Sequence, residues 1–216
     1  MSNDDLYYQI FQKYTLQSVL IPKYTHNNKE ARKNKKTAWE ETKLIPDCRP
    51  ILGECFMKEI LSSYTISHLT SALLPAKHPE YLTKVIEPDT ILYVTQPPFS
   101  IIKEACLQGY SSYEGRRESV KYYTGYQRKV PIAIKPQQNI FAFPTLSPET
   151  FECSWLFPSH IQSITHAITA DKTIRSLVTL KCGRKLYMSE SPAVIKKQLQ
   201  RTAHFSMMYF ADGIGG

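Results

Sequence analysis

The sequence has no CxxC pair, no glycine-rich phosphate-binding loop and no long apolar run. Its five cysteines are odd in number and widely spaced, a pattern that predicts no disulfide framework. No apolar stretch approaches the roughly 20 residues that cross a bilayer, and residues 1–12 are too polar for a secretory signal. These absences predict a soluble, cytoplasmic protein with reduced thiols and no membrane partner.

The motifs of common enzyme classes are missing as well. The chain contains neither the GxSxG motif of hydrolases nor the HExxH motif of metalloproteases. Cys153, His160 and His166 are close in sequence, but their spacing fits no zinc motif and no fourth ligand is evident. Cys106 and Cys153 are instead predicted to be small buried apolar residues. The sequence therefore predicts no catalysis, no metal site and no cofactor.

What the chain does have is positive charge. It carries 27 Lys and Arg against 19 Asp and Glu, a formal net charge of +8 with a pI near 9.1. Such an excess favours polyanionic partners, because each neutralised phosphate releases a condensed counterion. With 216 residues, 42% of them hydrophobic, the chain can also build one sizeable core.

The patterning divides the chain near residue 62. We predict an N-terminal extension with a basic loop over residues 1–62, and a compact nucleic-acid-binding domain over residues 63–216. In the second part, strands are predicted at Tyr64–Leu74, Tyr81–Ile86, Thr90–Thr95, Pro131–Ile134, Ile140–Phe143, Ile161–Thr169 and Leu177–Met188, and helices at Phe99–Gln108, Glu114–Tyr123 and from Pro192 onward. The predicted fold class is α+β, a β-rich single domain with a C-terminal amphipathic helix.

The terminal helix is the clearest element. Ser191 is a favourable N-cap and Pro192 fits the first helical position. At helical spacing, one face collects the apolar and small residues Ile195, Leu199, Thr202, Ala203, Ser206, Tyr209 and Phe210, and the opposite face collects Lys196, Lys197, Gln200, Arg201 and His204. The basic face is either an ordinary solvated surface or one that lies against phosphates and reaches base edges.

A second cationic segment runs from Tyr110 to Lys129. It holds Arg116, Arg117, Lys121, Arg128 and Lys129 among five tyrosines, with only Glu114 and Glu118 as acids. Lysine and arginine neutralise phosphates and tyrosine hydroxyls hydrogen-bond to them, although some of these tyrosines fit a core equally well. The predicted DNA-binding residues are Tyr113, Arg116, Arg117, Lys121, Arg128, Lys129, Lys196, Lys197, Gln200 and Arg201.

Several segments between Tyr64 and Phe210 resemble one known family. They are Ile91–Val94, Gly109–Arg117, Pro131–Ile132, Ile140–Ser147, Cys153–Trp155 and Gln200–Ala203. The pieces G-x-S-S-Y-x-G-R-[RK] and F-x-F-P-T, in this order, make the chain similar to the ComK competence transcription factors.

The resemblance implies a cytoplasmic activator of DNA-uptake genes that binds A·T-rich duplex boxes as a homo-oligomer. It also implies RNA polymerase and a proteolytic adaptor as partners. The resemblance also implies a charged tail beyond the last helix, so a chain that ends at Gly216 is expected to be a shortened form that binds DNA poorly or escapes its degradation machinery. The tyrosines leave two alternatives open: a protein-interaction module and a single-stranded nucleic-acid-binding module.

Overall fold

The computed structural model of the protein describes residues 59–211. This part contains ten strands and three helices. The strands are β1 Ile60–Leu61, β2 Ala72–Pro75, β3 Thr83–Ile86, β4 Ile91–Val94, β5 Ile132–Lys135, β6 Ile140–Pro144, β7 Trp155–Leu156, β8 Ile161–His166, β9 Ser176–Leu180 and β10 Lys185–Met188. The helices are α1 Pro98–Gln108, α2 Tyr113–Thr124 and α3 Pro192–Ala211.

Two sheets organise the described strands. The larger has seven strands in the order β1-β4-β3-β2-β7-β6-β5, and the smaller has three in the order β10-β9-β8. The pairs are antiparallel, except that the short β1 lies parallel to β4. Most strands pair with a strand that is next to them in sequence, so the two sheets contain few crossover connections.

The large sheet is buried on both faces. Successive residues of a strand point to opposite faces. Accordingly, Leu73 and Trp155 belong to one apolar cluster, which also includes Ile101 and Ile102 of α1. Their neighbours Ala72 and Leu156 belong to a second cluster, together with residues of the small sheet and of α3. Because both faces are buried, the strand sequences are continuously apolar and do not alternate between apolar and polar residues.

Helix α3 joins the two sheets. It contacts β6 of the large sheet and β8 of the small sheet. Ile195 packs among the small-sheet residues, and Phe205 packs against Phe141 of β6 and Val120 of α2. Because one face of α3 packs against both sheets, its opposite face points away from the core in a fixed direction.

The α+β, β-rich fold class and its C-terminal helix are confirmed. The hairpin of β3 and β4, helices α1 and α2, the β5–β6 pair and the reversal at Gly183 also lie where the sequence predicts them. The prediction of one long strand over Tyr64–Leu74 is wrong for its first part. Thr70 N bonds to Ser67 O at 3.1 Å, and the Tyr64 hydroxyl bonds to Thr70 Oγ1 at 2.6 Å, so a turn held by side chains precedes β2.

The predicted N-terminal extension lies outside the described residues except for its last four positions, and its basic loop lies wholly outside them. Within those four, Ile60 and Leu61 form β1 and pair with Tyr93 and Val94. The large sheet therefore starts two residues before the predicted boundary at residue 62.

Neither a membrane-crossing helix nor a metal site is evident in the described part. No helix within residues 59–211 is long and apolar enough to span a bilayer. The same residues contain no cluster of three or more His, Cys, Asp or Glu side chains that could hold a metal ion.

Cys106 and Cys153 are buried apolar residues, as predicted, whereas Cys182 is exposed. Burial raises the pKa of the Cys106 and Cys153 thiols to about 11, so both stay protonated at neutral pH. We expect iodoacetamide at pH 8 to alkylate Cys182 in the folded protein and to spare Cys106 and Cys153 until urea is added. Peptide mapping by mass spectrometry would show this; native labelling of all three at one rate would contradict the packing.

Candidate nucleic-acid interface

Helix α3 presents positive charge without any compensating acid of its own. The helix starts after Ser191, whose carbonyl accepts hydrogen bonds from Val194 N and Ile195 N. None of its 20 residues is acidic. Lys196, Lys197 and His204 are exposed on the side away from the core. The helix thus carries an outward cationic face, as the sequence predicts.

The segment after α2 lies directly beside this face. Helix α2 ends at Gly125, whose φ of 72° is in the left-handed region that glycine tolerates. The chain then turns so that Arg201 Nη1 donates to Arg128 O at 3.0 Å. The Tyr126 hydroxyl hydrogen-bonds to His204 Nδ1 at 2.9 Å. We call the surface formed by Arg128, Lys196, Lys197, Arg201 and His204 the cationic edge.

The buried side-chain amide of Gln198 connects the two parts of the cationic edge, which are α3 and the segment after α2. Gln198 is only 3% exposed, and its Nε2 donates to Lys129 O at 2.8 Å and to Pro144 O at 3.3 Å. Gln198 Oε1 accepts from Arg201 Nη1 at 3.1 Å. Two segments separated by 69 to 73 positions in sequence therefore form one continuous surface.

No carboxylate within residues 59–211 forms an ion pair with the cationic edge. Among residues 59–211, the ion pairs join Lys77 to Glu152, Lys103 to Glu114, and Arg117 and Lys121 to Glu118. None of these pairs includes a residue of the cationic edge. Exposed lysine and arginine side chains that form no ion pair can neutralise phosphates.

The cations on α2 are placed differently. Lys121 Nζ lies 2.8 Å from Glu118 Oε1, and Arg117 Nη1 lies 3.7 Å from the same oxygen. The hydrogen bond from Lys121 lowers the pKa of the Glu118 carboxyl, with smaller contributions from the charges of Lys121 and Arg117. Since one carboxylate serves both cations, this face of α2 has less charge to offer a phosphate.

Arg116 points into the protein. Its Nη1 donates to the carbonyls of Ala133 and Ile134 in β5, the latter at 3.0 Å. Its Nη2 donates to Cys106 O at 3.1 Å and to Gly109 O at 2.8 Å, at the end of α1. One guanidinium therefore joins α1, α2 and β5, a structural task that the sequence does not reveal.

Two more predicted site residues also have internal contacts. Tyr113 is 5% exposed, and its ring packs edge-on against Phe99 and Trp155. Lys129 donates through Nζ to Thr145 O at 2.6 Å. The desolvation of the Tyr113 phenol raises its pKa to about 12. Tyr113 is therefore a core residue, which is the alternative that the sequence leaves open for some of these tyrosines.

The predicted residues thus fall into three groups. Arg128, Lys196, Lys197 and Arg201 come together in the cationic edge, with Gln200 half-buried on the same helix. Arg117 and Lys121 share Glu118 on α2. Tyr113, Arg116 and Lys129 face the protein interior or its carbonyls. The sequence does not mark Gln198, because a buried amide carries no motif. Tyr126 is one of the five tyrosines of the Tyr110–Lys129 segment but is not among the predicted DNA-binding residues.

A cleft of about 300 Å³ opens between α2, β5 and the end of α3. Its lining combines polar side chains such as Ser111, Ser119 and Gln137 with apolar ones such as Phe205 and Met208. Two exposed tyrosines lie on α2, Tyr123 at the cleft and Tyr122 beside it. This surface differs in chemistry from the cationic edge, because it offers rings and hydroxyls instead of unpaired charge.

Comparison with known proteins gives a family assignment. The model of the ComK protein family matches residues 61–212. The chain belongs to the ComK family. It is similar to the competence transcription factor of Bacillus subtilis (strain 168), with 33% identity over 144 residues that cover 66% of this chain and 73% of that protein. No solved structure matches the chain.

The segments that make the chain resemble the ComK family have clear structural roles. In Gly109–Arg117, a Cβ at Gly109 would collide with the Arg116 guanidinium, so the glycine leaves the space that Arg116 occupies. Ser112 caps α2 by accepting a hydrogen bond from Gly115 N at 3.0 Å. In Ile140–Ser147, the five residues of β6 are all buried. These two segments therefore stabilise the fold that positions the cationic edge.

Proposed function

We propose that this protein regulates the transcription of competence genes by binding duplex DNA through the cationic edge. The proposal combines membership of the ComK family with similarity to a protein named a competence transcription factor. That relative is named as a transcription factor and not as an enzyme, in keeping with the lack of catalytic motifs. The observation that carries the proposed mechanism is that α3 has no acidic residue and exposes Lys196 and Lys197, while its Arg201 donates to Arg128 O. None of these four cations forms an ion pair with a carboxylate of residues 59–211.

We propose A·T-rich boxes as the target. Tracts of A·T pairs narrow the minor groove and strengthen its negative potential, which attracts inserted arginine side chains. Arg128 is exposed and Arg201 lies next to it, so this pair is suited to the groove. Lys196 and Lys197 are suited to the flanking phosphates, which set affinity more than sequence preference.

Further parts of the proposal concern organisation and assembly. We propose residues 63–216 as the DNA-binding domain and residues 1–62 as an extension to it. Binding as a homo-oligomer would place several cationic edges on spaced boxes, which raises affinity through effective concentration. Contacts with RNA polymerase and with a proteolytic adaptor complete the proposed set of partners.

A fluorescence-anisotropy titration tests the function. Labelled A·T-rich and G·C-rich duplexes of equal length are titrated with the full chain, and unlabelled single strands serve as competitors. We expect the A·T-rich duplex to bind about 10-fold more tightly or better, since discrimination of a few base pairs is worth at least that much. Equal affinities would contradict A·T recognition, and stronger competition by single strands would favour the single-stranded alternative.

A protein-interaction surface is the second candidate function. Tyr122 and Tyr123 are 84% and 47% exposed on α2, and Tyr110 is fully exposed at the end of α1. Exposed tyrosines are enriched in protein interfaces. A pull-down from nuclease-treated lysate with the wild type and a Tyr122→Ser, Tyr123→Ser variant tests it. A partner that the wild type retains and the variant loses would favour this function.

A further inference from the structure

The conformation of Arg201 is determined by contacts with the segment after α2 and with Gln198 of its own helix. Its guanidinium carbon lies 4.0 Å from the centre of the Tyr126 ring, a cation–π arrangement. Its Nη1 donates both to Arg128 O at 3.0 Å and to Gln198 Oε1 at 3.1 Å. These contacts use one nitrogen and one face of the group. A long side chain that is free to rotate on most helices is here held in one orientation.

The turn that carries Tyr126 is itself held firmly. Lys129 has a φ of 50°, in the left-handed region that side chains other than glycine rarely adopt. Such a conformation persists when surrounding contacts impose it. Lys129 Nζ is bound to Thr145 O at 2.6 Å, and Lys129 O accepts from the buried Gln198 amide at 2.8 Å. The ring of Tyr126 is therefore carried on a turn that is tied to Thr145, the residue after β6, and to Gln198 of α3.

Tyr126 is also fixed at its hydroxyl end. The hydroxyl hydrogen-bonds to His204 Nδ1 at 2.9 Å, one helical turn beyond Arg201. Arg201 and His204 are close on α3, so one tyrosine spans both side chains. The ring can then act as a platform that sets the direction of the guanidinium.

We propose that Tyr126 is a positioning residue of the DNA interface, which holds Arg201 beside Arg128 before DNA arrives. The inference rests on the proposed function, because it assigns to Tyr126 a task within the same site. Fixing a flexible side chain in its bound orientation lowers the entropic cost of binding. The ring contributes affinity through Arg201 without touching DNA.

A double-mutant cycle tests this role. The full-length wild type, Tyr126→Leu, Arg201→Ala and the double variant are titrated with the A·T-rich duplex at fixed salt. We expect Tyr126→Leu to weaken binding about fivefold in the wild-type background and less than about twofold in the Arg201→Ala background. The loss in the first background and its absence in the second would show that Tyr126 acts through Arg201.

Tyr126→Phe is the conservative control. It keeps the ring beneath Arg201 and removes only the hydrogen bond to His204 Nδ1, so we expect a smaller loss of affinity than for Tyr126→Leu, about twofold. Circular dichroism melting of each variant reports whether the fold is retained. An equal loss in both backgrounds, or none in the first, would overturn the positioning role while the proposed function stands. Failure of the wild type to bind the duplex would overturn both.

Discussion

Replacing Arg116 with alanine is expected to lower the free energy of unfolding by about 3 kcal/mol. The guanidinium donates to the carbonyls of Cys106, Gly109, Ala133 and Ile134, which belong to α1, the following turn and β5. Alanine leaves these carbonyls without their donor in a half-buried setting and opens the space between the three elements. Urea unfolding followed by circular dichroism measures the loss as a lower midpoint.

Arg117→Ala is the matched control, because it removes the same residue type from the next position. Arg117 is 38% exposed on its side chain, and its described ion pair is a 3.7 Å contact with Glu118. Exposed pairs of this kind contribute little, so we expect a change below about 0.5 kcal/mol. Arg116→Lys should resemble Arg116→Ala, since one ammonium cannot reach all four carbonyls. Equal stability of the two alanine variants would contradict the structural role of Arg116.

Replacing Arg128, Lys196 and Lys197 with alanine together is expected to weaken binding to the A·T-rich duplex on the order of 100-fold at physiological salt. Each phosphate contact contributes about 0.9 to the slope of log K against log salt, so the slope should fall by nearly three. All three residues are exposed, so their truncation removes no core packing. Anisotropy titrations between about 50 and 200 mM salt measure both quantities.

A second triple variant controls for net charge. Replacing Lys77, Lys103 and Lys172 with alanine removes the same three charges from elements outside the cationic edge. The first two of these lysines face Glu152 and Glu114. We expect the slope of this variant to stay within about one unit of wild type. Similar losses in the two triple variants would show that overall charge, and not the cationic edge, determines binding.

The elements with strong local signals could be predicted from the sequence. Three of them depend only on residues that are close in sequence, so the sequence pattern predicts their positions. They are the Ser-Pro start of α3, the end of α2 at Gly125 and the turn between β3 and β4. Tyr64–Ser71 shows the limit. Apolar and polar residues alternate in it as they do in a strand, but Thr70 Oγ1 hydrogen-bonds to both the Ser67 amide and the Tyr64 hydroxyl. Such side-chain competition is invisible to hydrophobic periodicity.

The candidate site was predictable in its charge but not in its assembly. The exposed lysines of α3, Lys196 and Lys197, follow from helical spacing alone. The internal use of Arg116 depends on carbonyls that come together only when α1 meets β5, and no spacing rule encodes that meeting. The same holds for Gln198, which a helical wheel places at the border of the apolar face, because only the tertiary structure shows that its buried amide donates to Lys129 O and Pro144 O. Side chains that satisfy distant backbone groups need the tertiary structure to be recognised.

The most direct test of the cationic edge is a lysine footprint. The full chain is acetylated briefly with and without a saturating A·T-rich duplex, and the modified lysines are mapped by mass spectrometry. We expect Lys196 and Lys197 to lose reactivity when DNA is bound, whereas Lys77 and Lys172 keep theirs. Unchanged reactivity of Lys196 and Lys197 in the bound state, with protection elsewhere on the chain, would contradict it.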